Sequence, residues 1–584
     1  MRTVNITFQP QGKTFSIKAG ETVQAAAIRH GVGLNASCGG AGTCGKCIVE
    51  VVSGKAEATA HDIKVLGKAR VSKGFRLACK TLISSDMEVR IPAESFHSGP
   101  HSIITHDADT SRHVSPLITK KYESAVGGSG VRSAASGDKY VTVVRFGEKT
   151  LAVEAGNTVD RCYGTAFDIG TTTLVGTLID LHSGNDLAVA SMVNPQTVFG
   201  DDVISRIKQC REAEDGLSKL HDAIIGAINR LLAELYAKSG VRPECVYHAV
   251  FAGNTAMQEI LCNINPKALG EIPFRPEYLD MQLLTAASLK IDMHPAGMVN
   301  VCPNIGGFVG GDTVSGVLAS KLDKEKKPAL LIDIGTNGEI VLSGKDGMIA
   351  ASMAAGPAFE GARIVNGMRA AEGALSAFAV VKDSMTFKTI GDRKARGICG
   401  SGLIDIAAAF LDAGLIDECG RILDVDELPV TIPEFIRKRL GNDKDQSAIL
   451  IADADETETG VPIFLYQKDI RELQLASAAI CAGIKILLSV QGYTADDLSA
   501  VFVAGAFGNF IDVANAKRIG LLPQVPLKKM KFIGNSSSLG AKKILLSGKE
   551  SAHAQHLASV IKHYDLSQSP AFQDEFAEAM LFPG

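Results

Sequence analysis

Apolar and polar positions alternate over residues 2–8, which predicts a strand, and 14–18 reads as its hairpin partner across Gln11-Gly12. Thr22 to His30 reads as a short helix stopped by Gly31. A glycine-rich loop follows, then a strand over Cys47–Val52, a helical patch near Ile63–Arg70, and a last strand near Met87–Ile91. That order suits a β-grasp unit over 1–95. Residues 96–137 show little periodicity and are rich in Ser, Gly, His and Asp, so they read as a linker. A short β pair, Tyr140–Phe146 and Thr150–Glu154, makes a small middle element over 138–160. The remainder, 161–584, reads as one large α/β unit with helices between its strands. In 219–239 Leu220, Ile224, Ile228, Leu231 and Leu235 form one apolar stripe, ended by Gly240. Leu473, Ile480, Ile484, Leu487 and Leu488 do the same in 471–490.

The large unit echoes itself. AFDIGTTTLVGTLID (166–180) resembles LLIDIGTNGEIVLSG (330–344), and AVFAGNTAMQEI (249–260) resembles AVFVAGAFGNFI (500–511). Two halves with equivalent strand-turn-strand and strand-glycine-helix units imply a duplicated α/β domain around a central cleft.

Composition narrows the class. The 584 residues are 46% hydrophobic and 21% charged, enough for several globular cores at roughly 150 residues per domain. A net charge of −4 gives no reason to expect nucleic acid or an anionic membrane as partner. No apolar run approaches the roughly 18 residues of a membrane span. Residues 1–10 lack the charged start and apolar core of a secretory signal, so a cytoplasmic location is expected.

The twelve cysteines are uneven. Cys38, Cys44 and Cys47 share one glycine-rich loop, CGGAGTCGKC, and Cys79 follows 32 positions after Cys47. Three thiolates on one tight loop and a fourth from a distant strand suit a two-iron rhomb. The spacing is close to the plant-type C-x4-C-x2-C…C, with five residues in the first gap here. The glycines allow positive φ and let amides turn toward the sulfides. The rival is a four-thiolate zinc site, but zinc loops favour paired C-x2-C knuckles and only one such pair is present. Cys162, Cys210, Cys245, Cys262, Cys302, Cys399, Cys419 and Cys481 show no second cluster spacing and read mostly as buried small hydrophobes.

Two hairpins carry Asp-Ile-Gly-Thr, at Asp168–Thr171 and Asp333–Thr336, 165 positions apart. An aspartate at a strand end can hold Mg2+ through water or orient a nucleophilic water. The glycine admits a phosphate to the backbone, and threonine hydroxyls and turn amides donate to its oxygens. Asp168, Gly170, Thr171 and Thr172 are thus the first candidate phosphate loop, and Asp333, Gly335, Thr336 and Asn337 the second. Gly505 and Gly508 in VFVAGAFGNF are placed to flank adenosine, and Gly306–Asp312 leads into a helix able to cross between halves. The plainer alternative is two ordinary hairpin turns. No G-x-x-x-x-G-K-[ST] sequence is present, which excludes a P-loop.

Together these signals resemble the ATP-dependent reductive activators of corrinoid enzymes and corrinoid proteins over nearly the whole chain. The resemblance rests on CGGAGTCGKC, YGTAFDIGTTTLVG (163–176), NPQTVFGDDVISRI (194–207), FAGNTAM (251–257), LLIDIGTNGEI (330–340), AAGPAFEGA (354–362), GICGSGLID (397–405), VAGAFG (503–508) and a C-terminal segment near Phe572–Leu581. It implies a multidomain protein: an N-terminal β-grasp ferredoxin-like α+β domain, a linker with a small β element, and a large duplicated α/β actin-like ATPase (ASKHA) domain. Proteins of that family return an inactive Co(II) corrinoid to Co(I), ready to accept a methyl group. The implied cofactors are a [2Fe–2S] cluster on Cys38, Cys44, Cys47 and Cys79, ATP, and Mg2+. The implied partners are a corrinoid protein of a methyltransferase system and a low-potential donor such as ferredoxin or flavodoxin, with a homodimer expected. Where that family carries a longer middle module, 96–160 holds a low-complexity stretch and one β pair.

Asp333 and Ser352 are the candidate catalytic residues. Ser352 lies in SMAAGPAFEG (352–361), a small, apolar loop able to press on a flat macrocycle and offer a hydroxyl toward cobalt; a buried strand-to-helix turn is the alternative. Asp201, Asp202 and Arg206 are read either as organising magnesium or joining the halves, or as a helix cap with a surface ion pair. Three other functions stand beside this one. A kinase or ATPase of the same fold would use the ferredoxin domain as a redox sensor. An activator of another low-potential metalloenzyme, such as a radical dehydratase, would bridge a [4Fe–4S] cluster between subunits. A ferredoxin subunit without ATP would leave the twin hairpins unexplained.

Overall fold

The structure is a computed structural model. It describes residues 2–10, 12–30, 32, 34, 42, 45–92, 95, 114–124, 140–200, 202–381, 384–430, 432–443, 446–505 and 511–584. Cys38, Cys44, Asp201, Gly508 and the Gly31 stop signal lie outside the described residues.

The N-terminal unit is a five-stranded sheet ordered Lys13–Lys18, Thr3–Gln9, Met87–Arg90, Ile48–Ser53, Phe75–Leu77. Thr3–Gln9 runs parallel to Met87–Arg90, which brings the two ends of the unit together. Thr22 caps the helix Val23–Arg29, and Val23, Ala26 and Ala27 bury its inner face against Ile6, Phe8 and Val89. The helical patch is two pieces, Ala60–Leu66 and Lys68–Ser72. They break at Gly67, whose φ of 78° and ψ of 154° leave the helical region.

The stretch read as linker over 96–137 holds a strand, Ile118–Ser124. It completes a three-stranded antiparallel sheet with Tyr140–Phe146 and Lys149–Ala155. The middle element is therefore larger than the expected β pair. Its inner row includes Lys120, whose side chain is fully buried and paired with Glu154 at 2.8 Å. A buried lysine in ITKKYES erases the alternation that marks a strand in sequence. Glu154 also accepts from Tyr247 at 2.6 Å, and Ser115 pairs with Leu546 and Gly548, so the sheet is fixed to the large unit.

The large unit is a duplication. In the first half, Tyr163–Ile169 is central, antiparallel to Thr173–Asp180 and parallel to Val246–Gly253. In the second, Ala329–Ile334 is antiparallel to Gly338–Gly344 and parallel to Ala500–Ala504. Asp186–Val193 and Gly347–Met353 extend the two hairpins equivalently. Each central strand thus ends in a DIGT turn at the same edge of its sheet. The predicted stripes hold: Leu220, Ile224, Ile228, Leu231 and Leu235 are buried on the helix Gly216–Ser239, which Gly240 ends in the left-handed region. Among the described residues one helix, Gln467–Val490, is long and apolar enough to cross a membrane. Charged residues interrupt it, so it forms no unbroken apolar run, and most of it is buried in the core of the second half.

Two helices link the halves. Gly311–Ser320 leaves the first half, and Ser536–Leu546 returns from the second. They cross so closely that a Cβ on Gly540 would lie 2.2 Å from the Ser315 carbonyl oxygen.

Candidate functional site

The two DIGT turns meet. Asp168 and Asp333, each ending a central strand, point toward the start of the second crossing helix. Asn535 Nδ2 donates to Asp168 Oδ2 at 2.8 Å, and Ser537 Oγ donates to Asp168 Oδ1 at 2.9 Å. Ser536 Oγ donates to Asp333 Oδ2 at 2.9 Å. One helix start therefore holds both halves' aspartates. The Thr172 and Thr336 hydroxyls bond to each other at 2.9 Å, and Thr336 Oγ1 donates to Glu360 Oε1 at 2.6 Å. Asn254 Nδ2 donates to Thr171 Oγ1 at 3.0 Å.

These groups line a cavity of about 460 Å³ that also admits Gly170, Gly335, Asn337 and Gly505. Gly505 has φ +104°, and a Cβ there would stand 2.4 Å from the Ile334 carbonyl oxygen and 3.1 Å from Asp333 Oδ1. A side chain would push into the second aspartate.

The cavity is strongly acidic. Asp168, Asp312, Asp333, Glu339 and Glu360 all line it. Burial, with the Asp168 charge added, pushes Asp333 up to about 6. Burial also raises Asp168. Asp312 and Glu339 are held above the usual carboxylate range by burial and then by neighbouring carboxylates. No three of the described carboxylates converge to ligate a metal ion directly, and Asp168 and Asp333 at the strand ends are left as the groups that could hold a divalent cation through water beside a polyphosphate. Strand ends, hydroxyls and a volume of this size fit a nucleotide.

Ser352 is half-buried at the end of the strand Gly347–Met353, and its hydroxyl donates to Glu339 Oε1 at 3.3 Å. Asp202 caps the helix Val203–Glu212, so the capping reading holds for it. Arg206 is not at the surface. It is fully buried and donates to the carbonyls of Thr171 and Gly200, bracing the first hairpin from behind. The sequence marks Asp312 only as the end of the segment entering the crossing helix, and it gives Asn254, Glu339 and Asn535–Ser537 no role of their own. The signal was present for Asn535, an Asn-Ser-Ser-Ser run after a strand and before a helix.

In the N-terminal unit Cys47 and Cys79 are 1% and 6% exposed. They sit at neighbouring strand ends, where Ala78 N donates to Cys47 O at 2.8 Å. Gly42 and Gly45 have φ of 80° and 66°, and a Cβ at either would strike Lys80 at 2.5 Å or Val65 at 2.9 Å. Two buried thiols beside two glycines in the left-handed region fit a cluster cradle. Of the dispersed cysteines, Cys162, Cys210, Cys245, Cys302 and Cys399 are buried as expected, while Cys419 is exposed.

Known proteins agree with this arrangement. The family profile described as "2Fe-2S iron-sulfur cluster binding domain" matches residues 6–84. "RACo middle region" matches 163–325, and "C-terminal domain of RACo the ASKHA domain" matches 327–584, so the two hairpins fall in different profiles. The chain is 33% identical over 566 residues to "Corrinoid activation enzyme RamQ" of Eubacterium limosum, covering 94% of each protein. It is 26% identical over 422 residues to "[Co(II) methylated amine-specific corrinoid protein] reductase" of Methanosarcina barkeri, covering 66% of this chain and 70% of that protein. The solved structure of "Reductive activator for corrinoid,iron-sulfur protein" superposes with a TM-score of 0.74 at 32% identity, covering 99% of this chain and 98% of that one. With a ferredoxin-type unit ahead of a twin-hairpin cleft, and with that extent of identity, the chain belongs to the family of reductive activators of corrinoid proteins.

Proposed function

We propose that this protein performs ATP-dependent reductive activation of a corrinoid protein, returning its Co(II) to Co(I) by one electron. The observation that carries the reading is the union, in one chain, of the buried thiols Cys47 and Cys79 beside Gly42 and Gly45 with the acidic cleft between the DIGT hairpins. When bound at Cys38, Cys44, Cys47 and Cys79, a two-iron cluster supplies a one-electron carrier at low potential, about −400 mV in plant-type proteins.

The electron must still climb if the cobalt couple lies lower. A gap of order 100 mV is about 2.3 kcal/mol for one charge. Nucleotide binding can supply that difference only by favouring one arrangement of the halves over another. Thr172 and Thr336 cannot touch each other and also flank a phosphate, so phosphate entry separates the hairpins. Asp168 and Asp333 would hold Mg2+ through water, with Asp333 also placed to orient water for hydrolysis. Gly505 keeps the adenosine side of the cleft open, and Gly508 belongs to the same segment. Glu339 ties the cleft to Ser352. As a carboxylate it accepts the Ser352 proton in a hydrogen bond, which makes that hydroxyl oxygen a better donor toward cobalt. The expected donor is a low-potential ferredoxin or flavodoxin, and the site of action is the cytoplasm.

The test is anaerobic. Reduced protein is mixed with candidate Co(II) corrinoid proteins, and Co(I) absorbance is followed with and without Mg-ATP. Nucleotide-dependent appearance of Co(I) is expected; equal rates without nucleotide would end this reading.

A further inference from the structure

Among the described residues lining the cleft, Arg369 is the one cation, against five carboxylates. A magnesium nucleotide carries net negative charge, and a guanidinium suits phosphate oxygens through paired N–H donors. Arg369 ends a segment with a second attachment. The Lys46 ammonium, one residue before Cys47 in the cysteine loop, donates to the carbonyls of Val365 at 2.6 Å and Gly367 at 2.9 Å. Val365 and Arg369 are four residues apart, at most roughly 14 Å of chain.

That short strap is tied along its length. Val365 N donates to Asp469 Oδ1 at 2.8 Å, and Asn366 Nδ2 donates to Phe464 O at 2.7 Å. Met368 N donates to Ile398 O, and Ile398 N to Asn366 O, both at 2.8 Å. Ile398 leads directly into Gly400, which lines the cleft at the start of the helix Gly400–Asp412. A strap so tethered has little slack to absorb movement of one end.

Resting on the nucleotide reading above, we propose that Arg369 binds the nucleotide's phosphates, and that the segment 363–369 couples nucleotide occupancy to the seating of the cysteine loop through Lys46. Phosphate engagement draws Arg369, shifts the two carbonyls, and changes how firmly Lys46 holds the ferredoxin-type unit against the cleft domain. The ferredoxin-type unit is thereby a reporter of the nucleotide state, not a passenger.

The experiment is hydrogen–deuterium exchange on the full cluster-loaded chain under anaerobic conditions, with and without Mg-AMPPNP, alongside calorimetric titration. In the parent protein nucleotide should slow exchange over 166–174 and 330–338 and alter it over 363–370 and 45–50. Arg369→Gln should weaken Mg-AMPPNP binding about tenfold or more, the effect of one charge-assisted contact, and at saturation should abolish the response at 45–50. Arg369→Lys should restore part of the affinity. Lys46→Met should keep the affinity and the response at 363–370 while losing that at 45–50. Hairpin protection with an unchanged 45–50 in the parent protein overturns the coupling alone. Wild-type affinity in Arg369→Gln overturns the phosphate role. Absence of protection at both hairpins removes the nucleotide reading and this inference with it.

Discussion

Gly540→Ala tests whether the helix crossing sets the cleft. The new Cβ would lie 2.2 Å from Ser315 O, 2.4 Å from Ser315 Cα and 2.5 Å from Ser315 C. All three are backbone atoms of a neighbouring helix, so no side chain can step aside. Reaching ordinary contact requires the helix Ser536–Leu546 to move by about 1 Å or more. Replacing glycine by alanine within a helix gains about 1 kcal/mol of propensity. Overpacking costs about 1–3 kcal/mol. The same movement lengthens the bonds from Asn535, Ser536 and Ser537 to Asp168 and Asp333, now 2.8–2.9 Å. A further ångström takes them past hydrogen-bond range, at about 1 kcal/mol each, not fully additive. The loss should outweigh the gain, with a net destabilisation of roughly 2–4 kcal/mol. The assay is thermal unfolding of the ligand-free protein together with calorimetric titration of Mg-AMPPNP. Tm should fall and nucleotide affinity should weaken together. Gly226→Ala is the contrast: it sits in the helix Gly216–Ser239 with only an Arg230 side-chain nitrogen near, at 3.9 Å. It should be neutral or stabilising by up to about 1 kcal/mol. If Gly540→Ala matches Gly226→Ala in Tm and leaves affinity unchanged, the crossing does not position the aspartates.

Asp333→Asn should make the ligand-free protein more stable than its parent at pH 8. The aspartate rises from its ordinary 3.8 to about 6 on folding. Its fold therefore prefers the protonated form, and the penalty on the ionised form grows as pH climbs from 4 through 6, to roughly 3 kcal/mol. Denaturant titrations should show the gap between variant and parent closing toward pH 5; a gap constant with pH would contradict the assignment. Lys120→Met should cost about 3 kcal/mol in unfolding measurements, because Glu154 is left without its buried cation. Adding Glu154→Leu should recover only part of it, because the buried Tyr247 hydroxyl then loses its acceptor. Cys47→Ser should abolish the visible absorbance of a reconstituted cluster, whereas Cys419→Ser, at an exposed position, should leave it intact. Ser352→Ala should slow cobalt reduction without altering nucleotide affinity, as measured by Co(I) absorbance and titration.

What the chain reveals before folding follows from how local each signal is. The stripe at Leu220, Ile224, Ile228, Leu231 and Leu235 lies on one helix face, so its burial is written in the spacing. The DIGT turns are equally local, and their repetition exposes the duplication. Signals carried by long-range pairing were silent. Lys120 falls in the stretch read as linker and Arg206 admits a surface ion pair as one of its readings, yet each is buried against acceptors far along the chain, Glu154 for one and the Thr171 carbonyl for the other. The run Asn535–Ser538 carries a local cap signal, and Asn535 does cap its helix. Only the fold brings the side chains of Asn535, Ser536 and Ser537, more than 350 positions after Asp168, onto that carboxylate and its counterpart Asp333.

The closed contact between Thr172 and Thr336 decides what kind of coupling the cleft permits. A nucleotide that bound the closed and opened arrangements equally well would shift neither, however tightly it bound. Here the hydroxyls bond each other at 2.9 Å, and beneath them Asp333, Asp312 and Glu339 are kept from ionising freely by burial. Those carboxylates already line the cavity, and separation of the hairpins would widen the access of solvent or Mg2+ to them and ease the desolvation that holds their proton affinity high. Closure and ionisation therefore oppose each other in the empty protein, while a magnesium nucleotide, on the function proposed above, would favour opening and ionisation together. Glu339 lies on this divide and bonds Ser352, so the state of the cleft reaches the proposed cobalt-facing hydroxyl through a single hydrogen bond. Under that proposed function, the preference for one arrangement is thus built from charge burial inside the cleft, and nucleotide would act by reversing it.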